Sequence, residues 1–259
     1  MGTEAPAALI GGIVGLTIGS FINVVAYRVP RNLSIVSPPS ACPRCGASIR
    51  PIDNIPVLSW LLLRGRCRNC GQPISLRYPL VELVTGLAFA GAVLLVGLSW
   101  LLPAVLFFVA VTITLTITDL EHKRIPNRIL YPSLPIALVL LALGAWAESR
   151  TGDLTRGLMG GLAYFTGWLL IFVLTRGGFG MGDVKLSLLL GLYLAFQSWE
   201  TLLAGAFLAV LIGGVVAVAL LVSGRKGRRD QVPFGPSLVA GAWVALIWGA
   251  QLVNAYLGG

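Results

Sequence analysis

Eight apolar stretches, each near the length of about 20 residues that crosses a bilayer as a helix, recur along this chain of 259 residues. They fall at 7–27, 79–98, 101–118, 129–147, 157–175, 184–199, 201–222 and 237–256. No single soluble core takes up so many apolar segments with so little polar cover. Charged residues make up only 11% of the chain, against about 25% in soluble domains. The pattern therefore predicts an all-α polytopic membrane protein with about eight transmembrane helices. It divides into a first transmembrane helix (1–29), a small cytoplasmic insert (30–78) and a transmembrane core (79–259).

The net charge of +9 would suggest a nucleic-acid partner in a soluble protein, but here the distribution matters more than the sum. With spans alternating across the membrane, 17 of the 19 Lys and Arg residues fall on one side, in Arg28–Arg77, Lys123–Arg128, Arg176–Lys185 and Arg225–Arg229. Only Arg150 and Arg156 remain on the other. That asymmetry predicts a cytoplasmic basic side, both termini outside and membrane lipids rather than nucleic acid as the basic side's partner. The first span does not read as a secretory signal, because Glu4 precedes it and its basic residues, Arg28 and Arg31, follow it. No internal repeat suggests a transporter built from two halves.

All four cysteines lie in the insert, as Cys42-Pro-Arg-Cys45-Gly46 and Cys67-Arg-Asn-Cys70-Gly71. Two C-x-x-C pairs at this separation have the spacing of a four-thiolate zinc site. The glycine after each pair suits the turn that aims backbone N–H groups at the sulfurs. Two disulfides or free thiols would be the other reading; a reducing cytoplasmic setting disfavours the first, and the specificity of the double knuckle disfavours both. Four thiolates leave no open coordination position, so zinc here is expected to be structural. An insert this small needs such a staple.

Two carboxylates stand at the same predicted membrane edge. Asp119 ends the third span in Thr116-Ile-Thr-Asp119-Leu-Glu121-His122, and Asp183 opens the sixth in Gly180-Met-Gly182-Asp183-Val-Lys185. Ionisable residues at membrane depth are costly and mark function by default. Two carboxylates sharing a site can hold one proton between them; the ionised member then activates water while the protonated one polarises a carbonyl. Gly180 and Gly182 permit close backbone approach and unusual dihedrals beside Asp183. Taken singly, Asp183 could be a helix N-cap and Asp119 a boundary charge; as a pair, they favour an aspartyl protease.

These segments resemble the type 4 prepilin peptidases, and the resemblance covers nearly the whole chain. It rests on Gly19-Ser-Phe-Ile-Asn23 through Arg28-Val-Pro30, Asp53-Asn-Ile-Pro-Val-Leu-Ser-Trp60, Leu63-Arg-Gly65-Arg-Cys67 and Arg77-Tyr-Pro-Leu-Val-Glu82. The two aspartate blocks and Pro233-Phe-Gly-Pro236 complete the series. The resemblance implies a protease of the bacterial inner membrane that cuts prepilin or pseudopilin precursors after a glycine on the cytoplasmic side, with Asp119 and Asp183 catalytic. It also implies N-methylation of the new terminus with S-adenosylmethionine as cosubstrate, and places Gly65, Arg66 and Glu82 as candidates for that step. No glycine-rich nucleotide loop announces methyl transfer independently.

His122, the single histidine, has no nucleophile motif beside it and reads as a loop residue at the membrane surface. Lys185 reads as an anchor at the headgroups, and Asn23 as a hydrogen-bonding partner for a neighbouring helix. A reading from another class, an ion- or proton-coupled transporter with an aspartate relay, is disfavoured because both carboxylates sit at the membrane edge rather than near its middle.

Overall fold

The computed structural model describes residues 4–224 and 233–257. The basic run Arg225–Arg229 lies outside the described residues. Every predicted apolar stretch is a helix. In chain order the helices are α1 (Glu4–Arg28), the short α2 (Leu58–Leu62), α3 (Arg77–Val96), α4 (Leu102–His122), α5 (Asn127–Ala147), α6 (Thr151–Leu174), α7 (Met181–Gln197), α8 (Trp199–Val222) and α9 (Gly235–Leu257). Six of them, α1, α3, α4, α5, α6 and α8, are long and apolar enough to cross a membrane. Of the other two long helices, α7 has 17 residues and α9 has 23.

The chain forms two compact units, Met1–Thr114 and Leu115–Gly259. In the first, α1 lies along α3. Gly11, Gly15 and Gly19 form a small-residue stripe on α1 that lets the two backbones come close. A methyl group placed on Gly19 would lie 2.7 Å from Glu82 Cα. The insert between these helices carries α2, two 3-10 turns and two isolated β-bridges, Ala41 with Ser48 and Arg66 with Pro73.

In the second unit α6 packs along α7 and α8 along α9, and α7 also touches α5, α8 and α9. Helix α7 is the core of this unit, with an unbroken buried run from Leu189 to Phe196. It is enclosed by protein, so its length need not match the bilayer. Helix α8 is the opposite case, with Leu203, Phe207, Val210 and Val218 exposed on its outer face, as a lipid-facing surface requires.

The two largest departures from the predicted boundaries each have a local reason. Helix α4 continues past 118 to His122, so Asp119 sits inside it; the Lys123 N–H closes a 2.8 Å bond to the Asp119 carbonyl. Helix α6 begins at Thr151 because Asp153 pairs with both Arg150, at 2.6 Å, and Arg156, at 2.9 Å. Those pairs let a charged first turn remain helical. Arg156 then reaches the end of α7, donating to the carbonyls of Ala195 (2.7 Å), Phe196 (2.6 Å) and Gln197 (2.8 Å). These are the acceptors a helix C-terminus leaves without partners.

Candidate functional site

Asp119, near the end of α4, and Asp183, in the first turn of α7, converge on Gly235 at the start of α9. Both carboxylates are buried, at 5% and 6% exposure. The Gly235 N–H donates to Asp119 Oδ2 at 3.1 Å and also faces the Asp183 carboxylate. A methyl group on Gly235 would lie 2.7 Å from Asp119 Oδ2 and 3.3 Å from Asp183 Oδ1. One point in space thus lies within 3.3 Å of both carboxylates. The N–H is one of the free donors of a helix N-terminus, where partial positive charge gathers.

Asp183 does not cap its helix. The N-cap is Gly180, and Asp183 follows as the third helical residue, with its N–H bonded to the Gly180 carbonyl at 3.0 Å. The glycines serve by size rather than by unusual dihedrals, since Gly180 is ordinary extended backbone (φ −74°, ψ 134°). A methyl group there would sit 3.3 Å from Asp183 Oδ2, and one on Gly182 would sit 3.0 Å from Ile125 Cβ. Lys185 turns away toward α5, with its ammonium 3.3 Å from Asn127 Oδ1 and 5.3 Å from the centre of the Tyr131 ring. His122 approaches Glu121 at 3.9 Å.

An aromatic cluster fixes the two loops that meet at the carboxylates. The Trp168 ring on α6 contacts Phe179 at 5.3 Å and Phe234 at 5.2 Å between centroids, and Phe172 contacts Phe179 at 5.8 Å. Phe179 precedes the Gly-x-Gly-Asp turn and Phe234 precedes Gly235, so one indole holds both approaches. The same unit has an open cavity of about 400 Å³ whose lining includes Leu120, Lys123, Ile212, Val216, Leu220 and Pro236. It is mainly apolar and adjoins both Asp119 and Gly235 in sequence.

In the insert, the sulfurs of Cys42, Cys45, Cys67 and Cys70 lie within 4.8 Å of one another and can hold a metal ion. Cys42 Sγ and Cys70 Sγ are 3.9 Å apart, matching a tetrahedron edge of about 3.8 Å for zinc–sulfur bonds of about 2.3 Å. The two knuckles are alike: Gly46 N–H bonds the Cys42 carbonyl and Gly71 N–H the Cys67 carbonyl, each at 2.9 Å, with the glycines at φ 71° and 68°. N–H groups of Cys45 and Arg44 pull the Cys42 thiol down to about 6. At Cys70 the Gln72 N–H also pulls downward, but desolvation and the three neighbouring sulfurs raise it to about 11. A bidentate ion pair between Arg68 and Asp53, with its shortest contact 2.6 Å, ties the second knuckle to the preceding turn.

Glu82, Gly65 and Arg66 are distributed over two places. Gly65, at φ 65°, lies against the Trp60 ring, and Arg66 forms the bridge to Pro73 in the second knuckle. Glu82 is buried on α3 and accepts the Val57 N–H at 2.7 Å. Asn23 donates to the Tyr78 carbonyl at 3.1 Å, as an interhelical bond.

Family models match in two parts: the bacterial peptidase A24 N-terminal domain over residues 13–96, and the type IV leader peptidase family over residues 106–218. A prepilin leader peptidase/N-methyltransferase of Bacillus subtilis is 37% identical, over 95% of this chain and 96% of its own length. Proteins of the same name from Pseudomonas aeruginosa and Aeromonas hydrophila are 33% and 35% identical, each over 95% of this chain and covered over 91% and 92% of their lengths. The chain belongs to the type IV leader peptidase family. No solved structure matches it.

The leader peptidase match takes in both aspartates and ends before Gly235, and the N-terminal match takes in all four cysteines. Gly235 and Trp168 are the contributors that chemical reasoning on the sequence passed over. Glycine carries no reactive group, and a tryptophan in an apolar helix reads as lipid-facing or interfacial. The block Pro233-Phe-Gly-Pro236 was the available signal for the first; nothing local marked the second.

Proposed function

We propose that this leader peptidase family member cleaves the leader of prepilin-like precursors at Asp119 and Asp183, after a glycine and on the cytoplasmic face of the bacterial inner membrane, and then N-methylates the new terminus. The observation that carries the reading is the convergence of two buried carboxylates on the Gly235 N–H. Close like charges in a dry site favour sharing a single proton. The ionised carboxylate takes a proton from water as it attacks the scissile carbonyl, and the protonated one donates to that carbonyl's oxygen. The Gly235 N–H holds Asp119 in place. The apolar cavity beside Leu120 and Pro236 receives the start of the precursor's apolar helix, leaving the glycine before it at the carboxylates. The narrow space that Gly180 keeps open beside Asp183 admits an extended strand.

The four cysteines take zinc, which closes the insert and supplies structural cross-linking rather than chemistry. S-adenosylmethionine, when bound, supplies a methyl group carried on a cationic sulfur. In this division of labour residues 30–78 and the adjoining helix ends serve methylation, and the core from residue 79 onward serves hydrolysis.

The test is mass spectrometry of a prepilin incubated with the purified protein in lipid, with and without S-adenosylmethionine. Loss of the leader in both cases, with one added methyl only when the cosubstrate is present, is the expected result. Processing that survives Asp119→Asn or Asp183→Asn would remove the assignment of the carboxylates.

A further inference from the structure

Helix α2 turns its apolar face away from the protein. Leu58, Leu61 and Leu62 stand at i, i+3 and i+4, on one face of a helix, and are 57%, 57% and 80% exposed. Its other side is the one committed to the fold. Ser59 is buried and its hydroxyl donates to the Ile55 carbonyl. The Trp60 indole N–H donates to the Ile74 carbonyl at 3.1 Å, and Gly65 lies against the Trp60 ring. The helix cannot roll its leucines inward without giving up those contacts.

The start of α2 is held at a definite depth. Val57 is the centre of a three-residue turn, with φ 61°, ψ −51° and the Leu58 N–H on the Pro56 carbonyl at 2.6 Å. A β-branched residue takes that conformation only under strain. Glu82, buried on α3, holds the turn by accepting the Val57 N–H at 2.7 Å. Helix α3 has 20 residues and is apolar enough to cross a membrane. At about 1.5 Å per residue it spans about 30 Å, the thickness of the hydrocarbon core. Glu82 then lies about 7 Å inside the first residue of α3, Arg77. Helix α1 agrees: Gly19, which packs against Glu82, lies about 13 Å before the helix end at Arg28. Helical side chains lean back toward the N-terminus of their helix, so the carboxylate and the turn it holds come up to the edge of that core.

We propose that α2 is an interfacial helix, seated in the surface of the phospholipid bilayer through Leu58, Leu61 and Leu62. Such helices lie with their apolar face about 5–10 Å into the boundary between headgroups and acyl chains, the level at which Glu82 fixes Val57. Lipid rather than a second protein is the occupant because a membrane-crossing helix sets that level. The start of α3 is itself apolar on the outside, with Leu76, Leu80 and Leu83 exposed. Arg64 and Arg66, exposed just past the end of α2, suit phosphate groups at headgroup height. Residues 30–78 are then not a free polar loop between two spans but a domain fastened to the membrane near its middle.

The experiment is photolabelling of the full-length protein in nanodiscs of phosphatidylethanolamine and phosphatidylglycerol, doped with a phospholipid that bears a diazirine on its acyl chain. Mass spectrometry locates the labelled residues, and zinc content is measured on the same samples. Residues 58–62 are expected to be labelled on a par with residues 80–87 of α3, and the first knuckle, 42–47, hardly at all. Leu61→Asp combined with Leu62→Asp is expected to lose most of the labelling at α2 while that of α3 persists. Should the double variant lose zinc, Leu62→Asp alone, at the most exposed position, is read in its place. Labelling of 58–62 no greater than that of 42–47 overturns the proposal; if a water-soluble carbene reagent misses the leucines too, a protein surface covers them instead. Labelling that the aspartates leave unchanged, in samples that retain zinc, shows nearness to lipid without insertion and overturns it as well.

Discussion

Gly235→Ala isolates the geometry of the carboxylate pair from its chemistry, because it adds one methyl group and removes no functional atom. That methyl would sit 2.7 Å from Asp119 Oδ2, with Asp119 Cγ and Asp183 Oδ1 both at 3.3 Å. Ordinary contact begins near 3.5 Å, so Asp119 must retreat by most of an ångström and stretch the 3.1 Å bond it accepts from the Gly235 N–H. A hydrogen bond to a charged group contributes about 1.5–3 kcal/mol, and a misplacement of about 1 Å at a reacting group can cost about 100-fold in rate. The expected result is a loss of about 100-fold in single-turnover cleavage of a prepilin. The fold should not suffer in parallel: Gly235 requires no positive φ, and alanine is the better helix former by up to about 1 kcal/mol. Thermal unfolding in lipid, zinc content and S-adenosylmethionine binding should therefore remain near wild type. A variant whose cleavage rate stays within about threefold, less than 1 kcal/mol of barrier, would refute the argument that Gly235 packs against working carboxylates.

Asp119→Asn and Asp183→Asn should each eliminate measurable cleavage while leaving helix content and zinc unchanged, checked by circular dichroism and metal analysis. Trp168→Ala should cost about 3–5 kcal/mol of stability, as removal of a buried aromatic does, and should depress cleavage even below its melting temperature; Trp168→Phe should recover much of both. Val216→Trp, which crowds the apolar cavity lined by Leu120 and Pro236, should raise KM for prepilin more than it lowers kcat. At pH 7 the metal-free insert holds Cys42, near 6, as a thiolate and Cys70, near 11, as a thiol. Zinc loading should therefore release a proton from Cys70 but none from Cys42, and affinity should fall as pH drops through 6, where Cys42 must also deprotonate. Calorimetry in buffers of different ionisation enthalpy reads both effects.

The helices were legible because apolar stretches of membrane length have few other fates, and the cysteine knuckles because their spacing admits little else. The aspartates were legible because a carboxylate is conspicuous beside an apolar span. Other features were hidden for physical reasons. Asp119 looked like the end of a span, yet its helix runs on to His122, where the Lys123 N–H closes the last turn on the Asp119 carbonyl. The tilt of Lys185 toward Asn127 and Tyr131 depends on the neighbouring α5 and could not be read two residues from Asp183. Gly235 acts through the absence of a side chain, and Trp168 through rings distant in sequence. Both roles exist only once the helices are packed.

Arg156 has a consequence for how the protein is made. Its three bonds go to carbonyls at the far end of α7, which do not exist in place until that helix has been synthesised and folded back. Until then the guanidinium has Asp153 and its own helix turn for company, a poor match for an apolar surrounding. Helix α6 is therefore a reluctant passenger alone and a comfortable one with α7. The pair should enter the bilayer as a single hairpin, so that the helix bearing Asp183 arrives already closed at its opposite end.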